Sequence, residues 1–230
     1  PPKMTSVVKL AKAIELLNKH QSKPVLIPQV KEYYRTTYND RNFITRILIA
    51  NSDILEFFLF KELEKNPLDN AYIRSTTAIT KLKGSDFANA IPSKAVLTLD
   101  SRILPTQTPE DMLEHIKYVL NKEFREDEYK IEIVSKSNPS NISNTDNEIF
   151  KKLSLEIKTM FPSANIVPYM IPAGTDAKHY EKISNNVYRF LPISIKPEEY
   201  SLMHGVNEYL SIDNYSRMIA FYKSFIKNNF

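Results

Sequence analysis

Between residues 71 and 104 the hydrophobic pattern passes from a helical period to strict alternation, and this change limits the fold more than any other feature. Residues 94–104 place Leu97, Leu99, Ser101 and Ile103 on one side of a strand and Val96, Thr98, Asp100 and Arg102 on the other. Successive strand side chains point to opposite faces, so Arg102 is expected on the face away from the apolar row. Residues 71–81, rich in threonine and isoleucine, read as a neighbouring strand that ends at the turn around Gly84.

The segments on either side are helical. Residues 4–20 carry Val7, Leu10, Ala11, Ile14 and Leu17 as one stripe. Residues 24–66, bounded by Pro24, Pro28 and Pro67, hold aromatic-rich helical stretches such as Ile54-Leu55-Glu56-Phe57-Phe58-Leu59-Phe60 and read as a packed helical insertion. Thr108 with Pro109 is an N-cap followed by proline at the first helical position, opening a helix that buries Met112, Ile116, Val119 and Leu120. Tyr129, Ile131 and Ile133 suggest a third strand. The sum is an α+β layer with helices on one face of an antiparallel sheet, whose first strand is expected to precede Pro1. The opening Pro1-Pro2-Lys3, without methionine, likewise reads as a chain cut from something longer.

Residues 136–145, rich in Ser and Asn around Pro139, form the clearest linker. Beyond them Thr145-Asp146-Asn147-Glu148 reads as a capping box before a helix carrying Ile149, Leu153, Ile157 and Met160. Residues 165–171 and 187–195 are strand-like, 177–183 helix-like, and Asp213 is placed to cap a last helix with Tyr215, Met218, Ile219, Tyr222 and Phe225. This alternation predicts a partial α/β segment over 137–230 after a first domain over 1–136.

Composition removes several functions. Cysteine is absent, and with it disulfides, thiolate metal sites and cysteine nucleophiles; the compartment stays open, with a cytosolic protein slightly favoured. No apolar run reaches the ~18 residues of a membrane span. The net charge of +4 is spread over helix faces without a like-charge block, so a nucleic-acid groove rests only on the basic isoelectric point.

Polar signals gather in three loops that also hold all 3 glycines of the chain. Glycine averages ~7% of protein sequences, so each one kept here is expected to serve a turn. The first loop, 84–92, contains Asn89 and leads into the strand of Arg102. The second, 172–180, contains Gly174, Thr175 and Lys178. The third holds His204, one of 4 histidines, in Ser201-Leu202-Met203-His204-Gly205-Val206-Asn207-Glu208. Arg102 offers a planar fork that matches a carboxylate, Asn89 an amide, Lys178 a point charge and His204 a ring nitrogen. Each residue alone is equally well a surface group.

Taken in order, Thr76-Thr77-Ala78-Ile79-Thr80, Asn89-Ala90-Ile91-Pro92, Asp100-Ser101-Arg102-Ile103-Leu104-Pro105 and Thr108-Pro109-Glu110 resemble the lid of a zinc hydrolase family. That family includes aminoacylase, acetylornithine deacetylase, succinyl-diaminopimelate desuccinylase and carboxypeptidase S. Gly174-Thr175-Asp176, Tyr188-Arg189-Phe190-Leu191-Pro192 and His204-Gly205-Val206-Asn207-Glu208 resemble the end of its catalytic domain. The details Lys178-His179-Tyr180 and Tyr188-Arg189-Phe190 are most similar to the carboxypeptidase S and N-acyl-amino-acid hydrolase branch.

The resemblance implies an α+β lid followed by a partial α/β zinc-hydrolase catalytic segment. It implies His204 as the last ligand of a two-zinc site, Asn89 and Arg102 as substrate-binding lid residues, and Gly174 and Thr175 in the loop receiving the substrate carboxylate. Lys178 stands where many members have arginine, and loses the bidentate fork. The family's His-x-Asp motif, Glu-Glu pair and catalytic lid histidine are not in this sequence, so no catalytic residue is retained and His204 alone cannot hold two metals. The expectation is therefore a fragment, inactive by itself and not holding zinc. Its intact enzyme is expected to cleave peptides or N-acyl amino acids beside a free carboxylate, as a homodimer through the lid completed by the missing N-terminal catalytic half. Neither nucleic acid nor membrane is an expected partner. The competing reading is a non-catalytic dimerisation module.

Overall fold

The computed structural model describes residues 2–171, 173–203 and 205–229, the side chains of Pro197, Tyr200 and Ser201 aside. The chain divides into two compact units: residues 1–141 with 169–174, and residues 142–168 with 175–230.

The first unit holds α1 (Ser6–Lys19), α2 (Pro28–Thr36), α3 (Phe43–Ala50), α4 (Ser52–Leu63), α5 (Pro67–Ile73), β1 (Thr76–Lys83), β2 (Val96–Arg102) and α6 (Pro109–Leu120). The strands pair antiparallel, with Thr76 opposite Arg102, Ile79 opposite Leu99 and Lys83 opposite Val96. A bulge between Ile79 and Lys81 leaves Thr80 as the extra residue.

α6 forms as its sequence dictates. The Thr108 side chain accepts from the Asp111 backbone N–H while Asp111 accepts from that of Thr108, and Pro109 fills the first helical position. Its inward stripe of Met112, Ile116 and Leu120 forms a core with Phe124. Leu99 and Ile103 of the β2 apolar row pack on that core, as do Leu16 and Leu17 of α1. One histidine ties α6 to the end of α1: His115 Nε2 donates to the His20 carbonyl at 2.9 Å, while His20 Nδ1 donates back within its own helix end to the Leu16 carbonyl at 3.1 Å. The α1 stripe is only partly used, since Val7 is exposed.

The expected helical insertion builds a second core of Ile27, Val30, Tyr34, Ile49, Leu59, Leu63, Tyr72 and Ile73. Asp69 is buried inside it, accepting from Tyr34 Oη at 3.0 Å and Arg41 Nη1 at 2.9 Å. The guanidinium of Arg41 also lies 5.1 Å from the Tyr34 ring centroid. A buried carboxylate is tolerable only with such partners. Burial first, and then the nearby Asp69 charge, pushes the Tyr34 phenol far above its ordinary range; Tyr72 is raised chiefly by burial.

Two segments of this unit differ from the sequence expectation. Residues 71–73 are the end of a helix, because Asn66 caps α5 by accepting from Leu68 and Asp69 N–H and Pro67 follows it. The strand begins at Thr76. Tyr129, Ile131 and Ile133 form no strand: Tyr129 and Ile131 pack on the α6 core, but the described sheet has two strands and offers that segment no ladder.

The second unit holds α7 (Glu148–Met160) and α8 (Ile212–Asn229), with 3-10 turns over Asp176–Lys182 and Pro197–Leu202. α7 is capped by Asn147, which accepts from Phe150 N–H; the box expected from Thr145 does not form. α8 begins one residue before Asp213, and Ser211 Oγ accepts from the Asn214 N–H. Residues 187–195 are not a strand, because side chains take the place of a ladder. Ser143 Oγ donates to the Val187 carbonyl and accepts from its N–H. The Asn214 amide serves both backbone groups of Ser194, and Tyr222 Oη donates to the Phe190 carbonyl. Residues 165–171 also form no strand.

Candidate functional site

β2 presents its polar face as the alternation requires. Arg102, the last residue of the strand, is exposed on the side away from the α6 core. Asp100, two residues earlier on that face, accepts from Arg102 Nε at 3.0 Å and Nη2 at 2.9 Å. Both side chains are about half exposed, so solvent screens the pair and the guanidinium can exchange this partner for another carboxylate at small cost.

Asn89 lies exposed in the connection from β1 to β2, beside a turn in which the Ala90 N–H donates to the Phe87 carbonyl. That connection is fastened to α1, where Ser6 Oγ donates to the Pro92 carbonyl at 2.7 Å. Gly84 starts it, and a Cβ there would lie 3.2 Å from Val7 Cγ2, so close packing rather than backbone torsion asks for glycine. Asn89 and Arg102 belong to opposite ends of the hairpin. With a rise of ~3.3 Å per residue the ends of β2 are roughly 20 Å apart, and the structure does not bring these two residues together.

Gly174 is exposed, with open space where a Cβ would stand and without a positive φ; it makes no obligatory turn. In the second unit, the 3-10 turn brings Thr175 and Lys178 together, the Lys178 N–H donating to the Thr175 carbonyl at 3.3 Å. Lys178 is exposed. The residue that fixes this loop is Arg189, to which its sequence motif alone gives no role. Its Nε donates to Thr175 Oγ1 at 3.1 Å and its Nη2 to Glu181 Oε1 at 3.2 Å. An arginine placed between a threonine and a glutamate on one turn was the available signal, but it needed the loop's path. Tyr180, Ser184, Val187 and Tyr188 line a shallow open depression beside the same turn.

His204 lies outside the described residues. In the turn that follows it, Asn207 takes φ 70°, a left-handed conformation that asparagine tolerates better than most residues. Among the described residues no group of three or more His, Asp or Glu side chains is arranged to hold a metal ion. They therefore do not make the three-ligand set a catalytic zinc requires. None of the described helices is long and apolar enough to cross a membrane.

The first unit thus carries a helix-backed antiparallel hairpin with exposed Arg102 at its end. Residues 1–128 match the peptidase dimerisation domain, and the chain belongs to the M20 peptidase family, in its carboxypeptidase and N-acyl-amino-acid hydrolase branch. The N-fatty-acyl-amino acid synthase/hydrolase PM20D1 of Mus musculus is 31% identical over 232 residues, covering 99% of this chain and 45% of the mouse protein. The human protein of that name is also 31% identical, over 99% of this chain and 45% of its own length. The probable carboxypeptidase S-like 2 of Dictyostelium discoideum is 28% identical over 99% of this chain and 43% of that protein. The chain thus spans about half the length of the curated relatives it matches. No solved structure matches it.

Proposed function

We propose that this chain is the lid and C-terminal catalytic segment of a zinc-dependent amidohydrolase that cleaves peptides or N-acyl amino acids beside a free carboxylate. The observation that supports this best is Arg102, an exposed guanidinium at the end of the β1–β2 hairpin, in a screened ion pair with Asp100. A carboxylate substrate takes the place of Asp100, and Arg102 accommodates it through two parallel N–H donors. Asn89 adds an amide from the other end of the hairpin, and in a dimer it serves the neighbouring subunit. Gly174 and Thr175 line the loop that receives the carboxylate, with Thr175 positioned by Arg189 and Lys178 adding positive charge. His204 is one metal ligand; the remaining ligands and the general base come from residues beyond this chain, which has no hydrolase activity by itself. The likeness to the mouse N-fatty-acyl-amino acid synthase/hydrolase supports an N-acyl amino acid as the substrate class.

The test is the protein expressed from the complete coding sequence. It is expected to bind zinc and to release free amino acid from N-acyl amino acids, while residues 1–230 alone do not. Absence of hydrolysis by the zinc-loaded complete protein sinks the proposal.

A second reading has its own support, since the family match ends at residue 128 and describes dimerisation alone. On that reading the chain is a non-catalytic dimerisation module. A stable dimer together with unaltered substrate kinetics on replacing Arg102 favours it.

A further inference from the structure

The motif Tyr188-Arg189-Phe190 lies in a half-buried stretch that joins no sheet, so side chains alone hold it in place. The Tyr188 ring rests on Phe150 of α7, centroids 5.3 Å apart, and its hydroxyl donates to the Asn144 carbonyl. Phe190 packs on Phe221 of α8, centroids 5.2 Å apart, and its carbonyl accepts from Tyr222 Oη at 3.2 Å. Between these two anchors stands Arg189, whose fork reaches Thr175 Oγ1 at 3.1 Å and Glu181 Oε1 at 3.2 Å, near the two ends of the Asp176–Lys182 turn. An arginine fork is rigid and planar, so a backbone shift at Tyr188 carries both donors away from their acceptors together.

Asn147 completes the arrangement. Its Oδ1 caps α7 by accepting from the Phe150 N–H at 2.8 Å. Its Nδ2 lies 2.8 Å from Tyr188 Oη, 2.9 Å from Asn186 Oδ1 and 2.7 Å from the Asn144 carbonyl, three acceptors for the two hydrogens of one amide. A helix cap needs only the oxygen, and serine serves there as well as asparagine. Capping therefore does not account for the contacts of the nitrogen with Asn186 and Tyr188.

We infer that Tyr188 is a positioning residue: joined to Asn147 at the start of α7, it holds Arg189 in place, and through Arg189 the turn that receives the substrate carboxylate. The carboxylate belongs to the function proposed above, and that part of the inference rests on it. The coupling of Tyr188 to the turn stands on the hydrogen bonds of Asn147 and Arg189. Binding sites tolerate small displacements of their positioning groups poorly, so a hydroxyl that adds little to folding still matters to the site.

The complete protein and its variants Tyr188→Phe and Asn147→Ser test this. The first keeps the ring on Phe150 and removes the hydroxyl; the second keeps the cap and removes the amide donor. Hydrogen exchange is expected to speed up about 10-fold in both variants at the turn amides of Lys178, Ile183 and Ser184, with α7 and α8 little changed. On an N-acyl amino acid, KM is expected to rise roughly 3- to 10-fold with kcat within about 2-fold, the pattern of uniform binding lost. In an Arg189→Ala background, Tyr188→Phe is expected to change kcat/KM by less than about 1.5-fold, because both residues act through one group. Unchanged exchange at the turn in either variant overturns the inference. Equal acceleration across α7 and α8, or full multiplication of the two kinetic effects, overturns it too by reducing Tyr188 to a general structural role. A complete protein that hydrolyses no N-acyl amino acid sinks the function proposed above instead, and the exchange at the turn still decides whether Tyr188 positions it.

Discussion

The guanidinium of Arg102 lies 2.9 Å from Asp100 Oδ2, on the outward face of β2 and two residues along the same strand. Both side chains are about half exposed, so solvent screens the pair. Exposed pairs of this kind contribute about 0.2–1 kcal/mol. Asp100→Asn therefore leaves the unfolding free energy within about 1 kcal/mol. In the complete enzyme it lowers KM for a carboxylate substrate by up to ~5-fold, because the competing internal carboxylate is gone. Steady-state kinetics and urea unfolding check both halves, and an increased KM argues against the exchange.

Arg189 positions rather than binds. Arg189→Ala removes the donor shared by Thr175 and Glu181 and costs the second unit about 1–3 kcal/mol. Arg189→Lys keeps the charge opposite Glu181 but cannot reproduce the fork. Lysine is expected to restore most of the stability and little of kcat/KM in the complete enzyme. Equal recovery of both quantities contradicts the positioning role.

Asp69 anchors the insertion core. Asp69→Ala leaves Tyr34 Oη and Arg41 without their buried acceptor and should cost about 3–5 kcal/mol, read from urea unfolding. A loss below about 1 kcal/mol would show that water replaces the carboxylate.

The same core predicts an alkaline limit. The Tyr34 phenol is raised in the folded state, by burial and then by Asp69, so the folded chain keeps a proton that the unfolded chain loses. Its contribution is fully present below the unfolded value near ~10 and is lost as pH rises above it. Stability falls by about 1.4 kcal/mol per pH unit for that proton, and Tyr34→Phe should reduce the slope by this amount. An unchanged slope between pH 10 and 11 contradicts the buried neutral phenol.

How far the sequence carries the fold is seen by comparing α6 with residues 187–195. Cap, proline and apolar stripe all agree in α6, and its boundaries and buried side chains follow directly. In β2 the alternation alone places Arg102 outward. Residues 71–73 mislead because Ile73 suits a strand, yet the Asn66 cap upstream decides for helix. The backbone of 187–195 finds its partners in Ser143, Asn214 and Tyr222, and no period within the segment reports that. The candidate site is legible as residue types, since Asn89, Arg102, Gly174, Thr175 and Lys178 are all named by motif order. Their placement is not, because it depends on loop paths: Asn89 and Arg102 fall at opposite ends of one hairpin. Arg189 emerges only once Thr175 and Glu181 are brought onto one turn.

The central claim is that Arg102 reads a substrate carboxylate. Its most direct test is the kinetics of the complete enzyme and its Arg102→Ala variant on an N-acyl amino acid and on the matching N-acyl amino acid amide. A charged hydrogen-bonded pair is worth about 1.5–3 kcal/mol. The account predicts that Arg102→Ala lowers kcat/KM on the free acid by roughly 10- to 100-fold and leaves the amide within about 2-fold. Equal losses on both substrates, or no loss on the acid, would contradict it.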